Sequence, residues 1–408
     1  LLGASRSDWS DEEFREFTNT SLHAAGYDGA LVEDWCQQRV FYQQTPKDST
    51  DLNDLKARIE KIEADLGLPG NRVFYLALPP GAFPGVIQQL GEAGLADGPG
   101  WTRLVVEKPF GHDLATAHEL NEHVHAHFDE DQVYRIDHYL GKETVQNLLA
   151  FRFANLLFET AWNRDRVEAI EITVAESLGT EGRAGYYDQS GVLRDMVQNH
   201  LTQLLSLVAM EAPNAFEADA IRSEKVDVLR AIAPIDPSNV VYGQYTAGVV
   251  NDESVPGYLE DPDVAADSTT PTYVAMRLEV ANWRWEGVPV FLRTGKRLPH
   301  KTTQIAVTFR RPPVCIFHGV KDECEAHQNV LILTLQPDEG FALRFDVKAP
   351  GSPLHLLSKE LHFDYAEAFE SLPDAYQTLI LDVMEGDQTL FVRSDEVETS
   401  WALSLIHI

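Results

Sequence analysis

The first third of the chain alternates short apolar runs with amphipathic stretches, and this restricts the fold more than any other feature. Arg72-Val73-Phe74-Tyr75-Leu76-Ala77-Leu78 reads as a buried-type strand ended by Pro79-Pro80. Trp101 to Val106 is a second such run, closed by Glu107-Lys108-Pro109, and Val133 to Ile136 a third. Between them lie helical patterns. Asp51 to Leu66 places Leu52, Leu55, Ile59, Ile62 and Leu66 on one face, and Asp113 to Phe128 forms a further helix. Ser10 and Glu13 match a capping box at the start of a helix from Asp11. Apolar strands separated by helices require a parallel sheet covered by helices.

After residues 130–150 the texture changes. Val167 to Ala175 is a strand, and Ser190 to Met210 reads as one long helix. Strand-like runs then follow in succession at Tyr273–Val280, Val288–Leu292, Ile305–Arg310, Val330–Leu335, Phe341–Val347 and Leu361–Tyr365, with Asp374–Glu385 as the last helix. Successive strands with few intervening helices indicate a mainly antiparallel sheet. The expected architecture is α/β: a doubly wound parallel sheet over residues 1–134 and a larger α+β domain over 135–408.

Charge narrows the partners. The 64 acidic residues against 33 Lys and Arg give a net charge of -31, which disfavours nucleic acid and anionic membrane surfaces. Three cysteines, Cys36, Cys315 and Cys324, are too few for a disulfide framework, and no Cys pair has zinc spacing. No apolar run suits a membrane span, and a cytoplasmic location is expected. The chain opens on Leu1 as though at the end of a strand, and Ala402 to Ile408 forms an apolar tail, so a fragment is expected.

Four stretches are dense in functional groups. Arg135-Ile136-Asp137-His138-Tyr139-Leu140-Gly141-Lys142 follows a strand and precedes a helix, where α/β proteins collect ligands. His138, Tyr139 and Lys142 have the groups to bind a phosphate. In Glu107-Lys108-Pro109-Phe110-Gly111 the Lys emerges at the carboxyl end of a strand. Asp195 and Asn199 share a helix face at i,i+4, with His200 one residue further round; a histidine suits proton transfer near neutral pH. Arg293 to Lys301 holds five basic residues in nine. Each stretch taken alone also reads as a surface turn or a structural helix face. His123 and His127 have i,i+4 metal spacing but no third ligand, so no metal is expected.

Together these stretches resemble the glucose-6-phosphate dehydrogenase family. Arg135 to Lys142 follows its RIDHYLGK signature and Glu107 to Gly111 its EKPFG. Tyr75 to Pro80, Gly179 to Arg183, Arg194 to Leu201 and Arg293 to Lys296 follow in the same order, over roughly residues 1–401. The resemblance implies oxidation of β-D-glucose 6-phosphate at C1 to 6-phosphoglucono-δ-lactone, the first step of the oxidative pentose phosphate pathway, with hydride passing to NADP⁺. It implies His200 as the base and Asp137 as its partner. Lys108, His138, Tyr139, Lys142, Glu176, Asp195, Lys296 and Lys301 would bind the sugar phosphate. Arg6, Pro79, Pro80 and Lys108 would contact the cofactor, with Arg6 on the 2′-phosphate. It also implies a homodimer or homotetramer, and a first strand and Gly-rich loop ahead of Leu1. The competing reading is a catalytically silent sugar-phosphate binder.

Overall fold

The computed structural model describes residues 1–45, 51–250, 252–317, 326–351, 355–369 and 373–405. The chain divides into two units. One holds Leu1–Val106 and Glu119–Tyr134, the other Glu107–His118 and Arg135–Ile408. The EKPFG segment therefore folds with the second unit, although it lies before residue 134.

In the first unit, Ser10 caps the helix Asp11–Ala24 with the expected reciprocal bonds to Glu13. The parallel strands form two sheets. Leu2–Ser5 pairs with Phe41–Gln44, and Arg72–Leu76 pairs with Thr102–Val106. In the latter, Leu104, Val105 and Val106 are buried, whereas Val73 and Tyr75 are exposed. Arg72–Leu76 is the edge strand of its sheet, and the face that carries Val73 and Tyr75 is open instead of buried as expected. The helix Ala30–Arg39 was not legible; its single buried residue is Cys36, so it has no apolar stripe.

The second unit is built on an eight-stranded sheet. In spatial order its strands are Leu356–Asp364, Gly340–Lys348, Val330–Gln336, Thr302–Phe309, Val167–Ala175, Pro289–Gly295, Tyr273–Glu279 and Val240–Gly243. The pairing of Val167–Ala175 with Pro289–Gly295 is parallel, and the other neighbours are antiparallel. Period-two alternation puts Ile170, Ile172, Val174, Val290, Leu292, Ile305, Val307 and Leu331 on one buried face. Helix Glu143–Phe153 packs over Val330–Gln336, and the segment Leu193–Leu201 over Pro289–Gly295.

The expected long helix over 190–210 is not continuous. Ala184–Val192 breaks at Gly191, whose φ of 65° and ψ of 174° are non-helical. Leu193–Leu201 is π-helical, and Thr202–Ala209 resumes the α-helix. The i→i+5 winding replaces the i,i+4 spacing assumed for Asp195 and Asn199. The carboxyl end of this helical run is pinned from three sides. Arg152 donates to the carbonyls of Leu207 and Met210, Trp162 to Val208 and Trp285 to Ala209, at 2.7–2.9 Å. These are carbonyls that a helix end cannot satisfy itself.

Two further helices depart from expectation. Ser394–Leu405 follows Ala375–Glu385, so the latter is not the last. Ala218–Ala231 was missed because its buried face includes Arg222 and Lys225. Lys225 Nζ lies 2.7 Å from Glu396 Oε2, with both side chains at most 1% exposed. Cys36 is free and buried. Cys315 is disulfide-bonded, and Cys324 lies outside the described residues. Of the tail, residues 402–405 continue the last helix and 406–408 lie outside the described residues.

Lys225→Met should lower unfolding stability by about 3–5 kcal/mol, because it leaves a buried carboxylate uncompensated. The double variant Lys225→Met/Glu396→Leu should recover most of that loss in a denaturant titration. Equal destabilisation by the single and double variants would show that the pair is not coupled.

Candidate functional site

The site is assembled in the second unit from residues distant in sequence. Asp137 follows Val133–Arg135, where the strand gives way to a turn. Its Oδ1 accepts from the Tyr139 amide at 3.0 Å, and the Leu140 amide donates to its carbonyl at 3.0 Å. A carboxylate that bonds the backbone two residues on is the usual local reason for such a turn. Lys142 then stands at the N-cap of helix Glu143–Phe153. At Gly141 a Cβ would meet the Ala375 carbonyl oxygen at 2.5 Å and Leu379 at 2.8 Å. Glycine alone lets helix Ala375–Glu385 approach this turn so closely.

The π-helical segment carries His200 to the same place. His200 Nδ1 donates to Asp137 Oδ1 at 2.7 Å, and both side chains are about 2% exposed. Lys108 Nζ donates to the other ring nitrogen, Nε2, at 2.7 Å. The tautomer is thereby determined: Nδ1 carries hydrogen and Nε2 presents a lone pair. Burial opposes the Asp137 carboxylate. The His200 charge and hydrogen bond outweigh burial and hold Asp137 well below the usual carboxylate range.

His138 and Tyr139 flank this pair, with ring centroids 4.9 and 4.2 Å from His200. Burial, and after it the His200 charge, hold His138 down at about 4, so it is a neutral hydrogen-bonding group at neutral pH. Burial pushes the Tyr139 phenol up to about 12. Lys142 Nζ donates to Gln336 at 2.7 Å and lies 4.4 Å from the Tyr139 ring centroid. Burial, and next to it the Lys301 charge, lower the Lys142 pKa. Two ammonium groups close enough to repel, beside neutral His138 and Tyr139 and a helix N-terminus, are a set of donors suited to a dianion.

A second cluster has a different character. Lys296 Nζ contacts Glu176 at 2.6 Å and Asp195 at 3.7 Å, over the Tyr187 ring at 5.0 Å. Here the cation is matched by carboxylates, which suits the hydroxyls of a neutral polyol. Tyr139 feels the Glu176 charge, which links the clusters.

Asp137, His138 and His200 offer ligand atoms within 4.8 Å of one another, a possible metal triad that sequence reasoning overlooked. The Lys108 ammonium on His200 Nε2 disfavours a second cation there. His123 and His127 do not pair. His123 lies by Glu119, and His127 is packed where a Gly91 Cβ would stand. In the first unit, Arg6 and Pro79 follow the carboxyl ends of strands Leu2–Ser5 and Arg72–Leu76, and Pro80 opens the short helix Pro80–Ala82; all three are exposed. Sequence reasoning also missed Gln336 and Gln203. Neither lies in a charged motif.

Comparison with known proteins agrees with this geometry. Residues 1–147 match the family described as glucose-6-phosphate dehydrogenase, NAD binding domain, and residues 149–405 its C-terminal domain. The match thus passes Trp401, where the resemblance had seemed to stop. Glucose-6-phosphate 1-dehydrogenase of Aggregatibacter actinomycetemcomitans is 44% identical, over 98% of this chain and 82% of its own length. Glucose-6-phosphate 1-dehydrogenase 2 of Mycobacterium bovis is 45% identical, over 99% and 80%. The chain thus spans about four fifths of the length of these two relatives. Among solved structures, a glucose-6-phosphate dehydrogenase in complex with glucose 6-phosphate superposes with a TM-score of 0.91 at 39% identity, covering 98% of this chain and 82% of that one. The enzyme from Mycobacterium avium gives 0.83 at 37%, covering 98% and 83%. Matched over residues 1–147 by one domain family and over 149–405 by the other, the chain belongs to the glucose-6-phosphate dehydrogenase family.

Proposed function

We propose that this chain oxidises β-D-glucose 6-phosphate at C1 to 6-phosphoglucono-δ-lactone with NADP⁺ as acceptor. The observation that carries the reading is the buried His200, oriented by Asp137 through Nδ1, with Nε2 turned toward Lys108. In the reaction His200 Nε2 takes the C1 hydroxyl proton while the C1–H bond breaks and the carbonyl forms. The bound nicotinamide supplies the acceptor for the departing hydride. Asp137 holds the ring in the working tautomer and stabilises the imidazolium as it forms. Lys108 gives up Nε2 to the hydroxyl, and its ammonium stays beside the forming carbonyl oxygen. Lys142, Lys301, His138 and Tyr139 hold the phosphate, and Glu176, Asp195 and Lys296 orient the ring hydroxyls. Remote binding of this kind fixes C1 against the base, which is where positioning lowers a barrier.

The adenosine 2′-phosphate is assigned to Arg6. Arg6 is exposed after a parallel strand and has no ion pair among the described residues, so its charge is available to a phosphate. Pro79 and Pro80 would line the nicotinamide side. Residues 1–134 serve as the nucleotide domain and 135–408 as the substrate domain, with Glu107–His118 folding with the latter. Among the described residues no helix is long and apolar enough to cross a membrane. We place the protein in the cytoplasm, as a homodimer or homotetramer; the exposed Leu357 and Leu361 on the edge strand Leu356–Asp364 favour assembly there.

Formation of reduced cofactor with glucose 6-phosphate, followed by absorbance, tests the activity directly. His200→Asn should lower kcat at least a hundredfold while leaving sugar-phosphate affinity by calorimetry within about threefold; retained turnover would remove His200 as the base. Arg6→Ala should raise KM for NADP⁺ by roughly tenfold and leave KM for NAD⁺ nearly unchanged; equal effects would refute the 2′-phosphate assignment. His138 has a lowered pKa in the folded state, so the unfolded chain takes up this proton more readily. Its contribution to stability is complete above about pH 6.5 and is lost as pH falls toward about 4. His138→Gln should flatten the loss of unfolding free energy over that window by about 1–2 kcal/mol. An unchanged pH profile would show that His138 is not the group responsible.

A further inference from the structure

Beside Asp137 lies a small cavity lined by the polar residues Lys108, Asp137, Gln198, Asn199, Gln203 and Ser400 and by apolar residues. Two buried atoms in its lining reach no protein donor, Asp137 Oδ2 and Gln203 Oε1. Both are acceptors. Buried acceptors without donors cost on the order of 1–3 kcal/mol each, and native interiors resolve this with a partner or an ordered water. The cavity leaves about 10 Å³ for the centre of a water molecule, close to the least that one water requires.

We propose that this cavity is a binding site for a single resident water, which donates one hydrogen to Asp137 Oδ2 and the other to Gln203 Oε1. The stoichiometry is the argument. Water has two hydrogens, and the two orphaned atoms are both acceptors. The water oxygen still needs a donor, and the amide of Asn199 lines the same space; its Oδ1 already accepts from the His200 amide at 2.6 Å, which leaves its NH₂ for the cavity. Asn199 and Gln203 are four residues apart across the junction of the π-helical segment and helix Thr202–Ala209. Gln198, also in the lining, commits one amide hydrogen to Ser400 Oγ at 2.9 Å.

The assignment deepens the reading of His200 as base and rests on it for its consequence. Asp137 Oδ1 takes hydrogens from His200 and from the Tyr139 amide. A donor on Oδ2 keeps the carboxylate turned so that Oδ1 stays in line with Nδ1. Gln203 is then a positioning residue that acts through the water on Asp137, and through Asp137 on His200.

A crystal structure of the intact protein at high resolution tests the site. It should show one density peak within about 3.2 Å of both Asp137 Oδ2 and Gln203 Oε1. No peak, or a Gln203 amide turned to donate directly to Asp137, overturns the proposal even if His200 is the base. Gln203→Met keeps the volume and removes the second acceptor. It should lower kcat by roughly tenfold with KM for glucose 6-phosphate and Tm unchanged. Asn199 and Asp137 remain in that variant, so a fall in Tm with kcat preserved would make Gln203 a packing residue only and sink its positioning role. Full activity of His200→Asn would instead sink the base assignment and leave the water site standing.

Discussion

The bond from His200 to Asp137 is the constraint on which the rest of the second unit depends. A carboxylate that is 2% exposed is stable only if its charge is met at short range. The imidazole meets it at Oδ1, and the Tyr139 amide adds a second donor. This obliges two elements 63 residues apart in sequence to hold a position to within a few tenths of an ångström. The turn after Val133–Arg135 does so through the Asp137 side chain itself. The helical run does so because its far end is clamped by Arg152, Trp162 and Trp285, all buried. Those three side chains lie far from the ring nitrogen in sequence and bear no chemistry, yet they determine where the π-helical turn can deliver His200.

That π-helical turn also explains the order of side chains along it. Leu193 and Val197 face the sheet-side apolar layer, with Leu278 and Leu292, while Asp195 and His200 serve the polar site. An α-helix repeats near every 3.6 residues; the wider winding lets residues five apart present to one side while the intervening apolar pair stays packed. Gly191 makes the entry possible, since its φ of 65° is disfavoured for other residues.

Much of this was legible in the residues, for a reason that also marks the limits. Strands with strong alternation, such as Val167–Ala175 and Val330–Gln336, were read within a residue or so of their bounds, because burial of one face writes directly into the sequence. Elements whose buried face is charged were not. Ala218–Ala231 hides Lys225 against Glu396, and no hydropathy pattern shows a pairing made across the fold. The π-helical turn was read as α because both windings accept the same apolar spacing over nine residues. At the site, charged groups in dense motifs were recovered, whereas Gln203 and Gln336 were not: a glutamine has no signal apart from its surroundings. Asp137 and His200 stood in separate motifs, and only the resemblance joined them; their bond is a fact of the fold.

The lysines show why net charge says little about a site. The chain carries an excess of 31 negative charges, and that field falls off within about 8–10 Å at physiological salt. Binding is then decided by what lies within a few ångströms. Lys296 sits against Glu176 and Asp195, so its neighbourhood carries no excess positive charge. It cannot distinguish an anion from water by charge, but its fixed donors and acceptors can distinguish one arrangement of hydroxyls from another. Lys142 has a neutral hydrogen-bond partner in Gln336 and a like charge in Lys301, which outweighs the opposite pull of either the Glu339 or the Asp137 carboxylate. Burial makes that repulsion more costly, and on the proposed reading a phosphate held by the two ammonium groups would relieve it. On the function proposed above, a sugar phosphate would engage both environments with opposite ends of one molecule: the lysine pair would supply affinity for the phosphate, and the cluster around Lys296 would orient the end that reacts.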